Sequence, residues 1–167
     1  MKLNYVEEIH DSALSSDFKN YQIGRQDDKA FIFDLDGVIT DTTIFHYLAW
    51  ANTFNALPDL IGKPSIDVSR EIYDEVIDGA PREETIRNIL RLFGVTYSSK
   101  DVEVISMYKN SQYMTFVRKN GICLFRDSLD LISNLKRLGS KLGVATSSKN
   151  GLEILKIARI SQYFDFI

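Results

Sequence analysis

Lys29-Ala30-Phe31-Ile32-Phe33-Asp34-Leu35-Asp36-Gly37-Val38-Ile39-Thr40-Asp41-Thr42 is the most informative stretch of the chain. Its apolar run, Ala30 to Phe33, predicts a buried strand that runs straight into two carboxylates with one residue between them. Side chains alternate along a strand, so Asp34 and Asp36 are expected to point the same way. Gly37 then lets the chain turn sharply. Two acids at the carboxyl end of a buried strand are costly unless a cation or substrate uses them. In open α/β sheets that is also where ligands sit.

Toward the C-terminus, a second such run is Leu142-Gly143-Val144-Ala145-Thr146, followed by the polar loop Ser147-Ser148-Lys149-Asn150-Gly151. A helix is expected on each side of it, one from Ser128 with the stripe Leu131, Ile132, Leu135 and Leu138, the other over Leu152 to Ile160. A third apolar strand is expected from Tyr163 to Ile167. Strand–helix–strand–helix–strand implies a parallel sheet with right-handed crossovers, an α/β fold. Between the first strand and this pattern, residues 44–120 read as almost entirely helical, an insertion. Its first helix spans Ile44 to Ala56 and is expected to bury Ile44, Tyr47, Leu48 and Ala51. Residues 58–70, which hold Pro58, Gly62, Pro64 and Ser65, read as a loop, with a short helix over 70–77. Pro81 suits the start of a helix carrying Ile86, Ile89, Leu90 and Phe93 inward, with Gly94 as its stop. A last insertion helix, 100–117, is expected to bury Val104, Met107 and Tyr108. The domain reading is an N-terminal extension over 1–28, a core over 29–43 and 121–167, and a helical domain over 44–120. The extension reads equally as a docking arm, a tail or the end of a preceding domain.

Composition bounds the function classes. The 167 residues are 44% apolar and 26% charged, with a net charge of −3. That balance gives no general pull toward nucleic acid or anionic membranes. No apolar run reaches about 18 residues, and no signal-peptide core opens the chain, so the expected location is the cytoplasm. The only cysteine, Cys123, sits in the apolar run Ile122-Cys123-Leu124-Phe125 and is expected to be a packed core thiol.

The chemistry follows from the residue types. A carboxylate is a competent nucleophile toward phosphorus, and a second acid nearby can move a proton to or from an alcohol. Mg²⁺ would offset the charge of carboxylates and phosphate together. Thr146, with the amides of Ser147 and Ser148, can hold phosphate oxygens, and Lys149 can add charge. A calcium loop is the competing reading of Asp-Leu-Asp-Gly, and Val38 and Ile39 do not fit it. Asp41 and Thr42 read equally as caps of the helix that follows.

The stretch Phe33-Asp34-Leu35-Asp36-Gly37-Val38-Ile39-Thr40-Asp41-Thr42 resembles the first signature of the haloacid dehalogenase superfamily, and Val144 to Gly151 resembles its second. Thr42, His46, Trp50, Gly79-Ala80-Pro81-Arg82-Glu83 and Ser148-Lys149-Asn150-Gly151 are similar to the β-phosphoglucomutase-like branch. The resemblance implies a helical cap inserted after the first strand of a Rossmann-like sheet. It implies Asp34 as phosphorylated nucleophile and Mg²⁺ ligand. Asp36 would be the general acid/base, with its carbonyl on the metal. Thr42 and His46 would sit near the hinge and substrate path, while Arg82 and Lys109 would be cap contacts to a phosphosugar. Thr146, Ser147, Lys149 and Asn150 would hold the transferring phosphate. Solvated surface is the competing reading for Arg82, Lys109 and Lys149, and packing for His46.

The resemblance covers 29–167, roughly two-thirds of the family fold. Its third and fourth signatures, a lysine and an acidic pair, are not in the sequence. The sheet is therefore expected to be incomplete. The strand at 30–35 would be a bare edge prone to pairing with another chain. The polypeptide alone is expected to be inactive or nearly so. The three implied functions are a phosphosugar mutase, a phosphatase of a small phosphorylated metabolite, and a non-catalytic binding remnant.

Overall fold

A computed structural model describes residues 30–167, so the expectation for 1–28 lies outside the described residues. The chain divides into two compact units, one ending at Thr42 and resuming at Asn120, the other Thr43–Lys119.

The first unit is α/β. Strand β1 (Ala30–Asp34) pairs in parallel with β4 (Lys141–Ala145), in a register that sets Asp34 beside Ala145. The helix α6 (Arg126–Arg137) precedes β4 and α7 (Gly151–Ile157) follows it. On the far side of β4, the backbone of 165–166 adds a third short pairing. The Asp165 amide donates to the Leu142 carbonyl at 2.7 Å and the Val144 amide to the Phe166 carbonyl at 3.0 Å. Among the described residues the order is thus β1, β4, then 165–166, with β1 at an edge.

That order explains the burial. Leu142, Gly143 and Val144 are buried because β4 has neighbours on both sides. Ile32 is 65% exposed, so the expected burial of β1 is corrected: its alternate residues face solvent at the open edge. Gly143 has its own reason. A Cβ there would lie 1.9 Å from the Phe166 ring, so only glycine admits the third segment. Asp165 fixes that segment further, its carboxylate accepting from the Leu142 amide and the Lys136 ammonium, each at 2.9 Å. Those donors depress the carboxyl to about 2. The expected third strand over 163–167 is reduced to a single bridge at Phe166, after a 3₁₀ turn over Ser161–Tyr163.

A second small sheet was not expected. β2 (Thr40–Asp41) pairs antiparallel with β3 (Cys123–Leu124), Thr40 opposite Leu124 and Asp41 opposite Cys123. The two faces of this ribbon differ. Thr40 is fully buried, whereas Asp41 and Cys123 share the open face. Cys123 is therefore exposed rather than a core thiol, because strand alternation outweighs its apolar surroundings.

The second unit is helical: α1 (Thr43–Asn55), α2 (Leu57–Ile61), α3 (Arg70–Ile72), a π-helical turn (Tyr73–Ile77), α4 (Arg82–Leu92) and α5 (Ser99–Asn120). Its core gathers Trp50, Phe54, Leu57, Tyr73, Ile86, Ile89, Leu90 and Ile105. Pro58 lies in the first turn of α2, where its missing N–H costs nothing, so part of the expected loop is helix.

Two helices are rotated from expectation. α1 buries Ala49, Trp50, Thr53 and Phe54, while Ile44 is exposed. α5 buries Val102, Ile105, Lys109, Tyr113 and Val117, while Met107 is 67% exposed. Both helices carry apolar residues on more than one face, so periodicity alone leaves the buried side undecided. Phe93 and Leu138, at the ends of their helices, are also exposed rather than inward.

Candidate active site

In the α/β unit, β1 delivers Asp34 at its end and then breaks into a tight loop. Leu35 is fully buried, Asp34 is exposed and Asp36 is half-buried, so alternation sets both acids opposite the anchored Leu35. The Leu35 carbonyl accepts three hydrogen bonds, from the amides of Ile39 and Thr40 at 2.9 Å and from Thr40 Oγ1 at 3.2 Å. The Gly37 amide donates to the Thr40 carbonyl at 2.8 Å. Gly37 has φ +82°, a left-handed conformation that glycine alone adopts without strain. The loop is thus fastened by its own backbone.

Thr42 is fully buried, and its Oγ1 donates to Asp36 Oδ1 at 2.6 Å. The hydroxyls of Thr40 and Thr42 lie 3.4 Å apart. Thr42 thus holds one Asp36 oxygen, while the Thr40 hydroxyl beside it is anchored on the Leu35 carbonyl. The spacing of two between them was legible in the sequence, but the contact to Asp36 needs the Gly37 turn.

The neighbouring strand end is equally preorganised. Thr146 Oγ1 accepts the Ser148 amide at 3.0 Å, and Ser148 Oγ accepts the Asn150 amide at 3.3 Å. These bonds wind the chain into α7. With its oxygen accepting an N–H, the Thr146 hydroxyl hydrogen can be donated elsewhere. A Cβ at Gly151 would lie 2.7 Å from Thr146 Cγ2, so glycine there leaves Thr146 its place. Ser147 and Lys149 are exposed and Asn150 is half-buried. The parallel register places Asp34 beside Ala145, one residue before Thr146. Among the described residues, no group of three or more His, Cys, Asp or Glu side chains could hold a metal by itself.

The helical unit brings together a different set. Lys109 is 3% exposed, which corrects the surface reading. Its ammonium lies 2.9 Å from His46 Nδ1 and 5.1 Å from the ring centres of both Trp50 and Tyr113. Aromatic faces stabilise a desolvated cation. Lys109 has only donors, so His46 Nδ1 accepts and the ring's own proton sits on Nε2. His46 also stacks on Tyr113, with ring centres 4.2 Å apart. Tyr113 was missed in the sequence, although its spacing of four from Lys109 places the two on one helical face. Arg82 opens α4 with its Nη2 on Asn110 Oδ1 at 3.1 Å, and partial burial lowers its pKa. It is held by a side-chain amide rather than by an acid.

Residues 29–167 match the family model described as haloacid dehalogenase-like hydrolase. The chain belongs to the haloacid dehalogenase-like hydrolase family. Within it, the chain is 33% identical to the β-phosphoglucomutase of Bacillus subtilis (strain 168) over 147 residues, 83% of this chain and 59% of that protein. The crystal structure of a β-phosphoglucomutase from Clostridium difficile is similar with a TM-score of 0.69 at 30% identity, covering 83% of this chain and 60% of that one. A mutant of CbbY from Rhodobacter sphaeroides, in complex with xylulose-(1,5)bisphosphate, is similar with a TM-score of 0.67 at 26% identity, covering 83% and 61%. This haloacid dehalogenase-like chain thus spans about 60% of the length of the relatives it matches.

Proposed function

We propose that this chain carries the nucleophile half of a phosphoryl-transfer enzyme acting on a small phosphorylated sugar, and that it works as a phosphosugar mutase of the β-phosphoglucomutase kind. The observation that supports this most is the register that sets Asp34 beside the end of β4, next to Thr146. In the proposed reaction an Asp34 oxygen attacks phosphorus, the P–O bond to the sugar breaks, and Asp36 delivers a proton to the leaving oxygen. In the reverse sense Asp36 takes the proton of a second sugar hydroxyl, whose oxygen then takes the phosphoryl group from Asp34. Thr42 keeps one Asp36 oxygen occupied and so aims the other. Thr146 donates to a phosphate oxygen, with Ser147, Lys149 and Asn150 beside it.

Asp34 and Asp36 supply only oxygen donors, which fits a hard divalent cation such as Mg²⁺. Such an ion usually takes one or two carboxylates and completes its shell with water and phosphate. When bound it would offset charge on the phosphoryl oxygens.

In this reading Thr43–Lys119 acts as a cap domain. His46 and Lys109 form its polar centre, and Arg82 receives the phosphate that is not transferred; its planar fork suits that group. A phosphatase of a small phosphorylated metabolite is the second reading, favoured by the exposure of Asp34, which admits water as acceptor.

The test is incubation with β-glucose 1-phosphate, a catalytic amount of glucose bisphosphate and Mg²⁺. Glucose 6-phosphate as product supports the mutase; inorganic phosphate supports the phosphatase. Asp34→Asn is expected to lower either rate by about 10⁴-fold. An unchanged rate would remove Asp34 from the mechanism.

A further inference from the structure

The π-helical turn Tyr73–Ile77 lies just upstream of Arg82, and none of the residues assigned above explains it. Single π turns inside helices are rare and often accompany functional sites. This one is closed twice by the same residue. The Asp78 amide donates to the Tyr73 carbonyl at 2.9 Å, the i to i+5 bond that defines the turn. The Tyr73 hydroxyl donates to Asp78 Oδ1 at 3.3 Å.

Tyr73 is 2% exposed and is packed edge-on against Tyr47, with ring centres 5.4 Å apart. The Arg70 guanidinium covers both rings, at 5.4 Å and 5.3 Å from their centres, and is itself paired with Asp74. The phenol is thus fixed from three sides, and burial with the nearby Asp78 carboxylate raises its pKa, so it stays a donor at neutral pH.

The position of Asp78 sets the path of the next four residues. Gly79 turns the chain with φ +71°, the Ala80 amide returns to the Ile77 carbonyl at 3.2 Å, and Pro81 leads into α4. Arg82 is the first residue of that helix. An ordinary helical turn would rotate Asp78 by about 100° and send Gly79 to Arg82 elsewhere.

We propose that Tyr73 is a positioning residue for sugar-phosphate recognition: by pinning Asp78 it fixes the Gly79–Pro81 turn and so aims the Arg82 guanidinium at the phosphate. This rests on the assignment of Arg82 as a phosphate contact.

The experiment follows the Arg82 Nε–H resonance of the full chain during titration with glucose 6-phosphate. Tyr73→Phe keeps the ring packing and loses only the hydroxyl. It is expected to weaken the apparent affinity about threefold to tenfold, the net worth of one ordinary hydrogen bond, with little change in melting temperature. Asp78→Ala, at an exposed position, should weaken it similarly. The double variant should be no worse than either single one. Asp78→Asn retains the acceptor oxygen and should restore most of the affinity. Should Tyr73→Phe misfold, the Asp78 pair alone decides. Wild-type affinity in Tyr73→Phe or in Asp78→Ala, or additive losses, would overturn this proposal while leaving Arg82 as a phosphate contact. A wild-type chain whose Arg82 resonance ignores glucose 6-phosphate would instead remove the underlying assignment, and this proposal with it.

Discussion

The two units solve the problem of holding polar groups in opposite ways. The α/β unit keeps its acids at the surface and lets the backbone fix them. Three donors on the Leu35 carbonyl, the left-handed Gly37 and the register of β1 with β4 leave Asp34 exposed yet defined in position. The helical unit takes a charge inside. Lys109 is buried between two aromatic faces and a histidine, within a unit whose hydrophobic core runs from Trp50 to Ile105. A carboxylate that must react with an incoming group needs water access, so its order comes from main-chain bonds. A cation that only orients a neighbour can be desolvated, provided its hydrogen bond and ring contacts compensate. Stability should therefore be distributed unevenly, with the open β1 edge among the least protected backbone in the molecule.

Gly143→Val puts this contrast under the most severe strain. The added side chain must displace the Phe166 ring and with it the 165–166 pairing. A loss of about 3 kcal/mol or more is expected, confined to the α/β unit. Hydrogen exchange reads it residue by residue: β1 and β4 amides should lose protection while those of α4 and α5 keep theirs. Equal loss in both units would mean that the two are one cooperative body.

Next in size is Lys109→Ala, which leaves a cavity beside Trp50 and Tyr113 and strips His46 Nδ1 of its donor. About 2–4 kcal/mol is expected from denaturant unfolding of the helical unit. Lys109→Met keeps the volume and should recover much of that stability. If Lys109→Ala were neutral, burial of this ammonium would contribute nothing to the unit.

The smallest effect is a pH dependence. The Asp165 carboxyl is held down to about 2 by the Leu142 amide and Lys136, below its unfolded value near 4. A depressed folded-state pKa stabilises above the unfolded pKa, and that contribution is lost as pH falls from about 4 to about 2. Acid titration of the α/β unit should show this loss, and Asp165→Asn should flatten it. A profile unchanged by Asp165→Asn would assign the acid sensitivity to other carboxylates.

Much of the fold was legible in the residues. The alternation and apolar runs of 30–34 and 141–145 gave both parallel strands, and Gly94 and Gly139 marked helix ends because only glycine enters the left-handed region freely. The pattern Asp34-Leu35-Asp36-Gly37 named the candidate reacting acids, since alternation needs no tertiary partner to set both against Leu35. Other features were hidden. Cys123 looked like core because its neighbours are apolar, yet it faces outward on a two-residue strand whose partner, Asp41, lies 82 positions earlier. Lys109 looked like surface because lysine usually is, until Trp50, His46 and Tyr113 closed around it.

The division has a physical basis. Local stereochemistry, strand periodicity and turn residues act over a few positions, so the order of residues alone set where the two parallel strands run, where the two acids stand and where the helices stop. Which face of α1 and α5 is buried, that Thr42 spends its hydroxyl on Asp36, and that a π turn precedes Arg82 were settled only when distant segments packed. Those outcomes depend on contacts between residues far apart in the chain, and no short stretch carries that information.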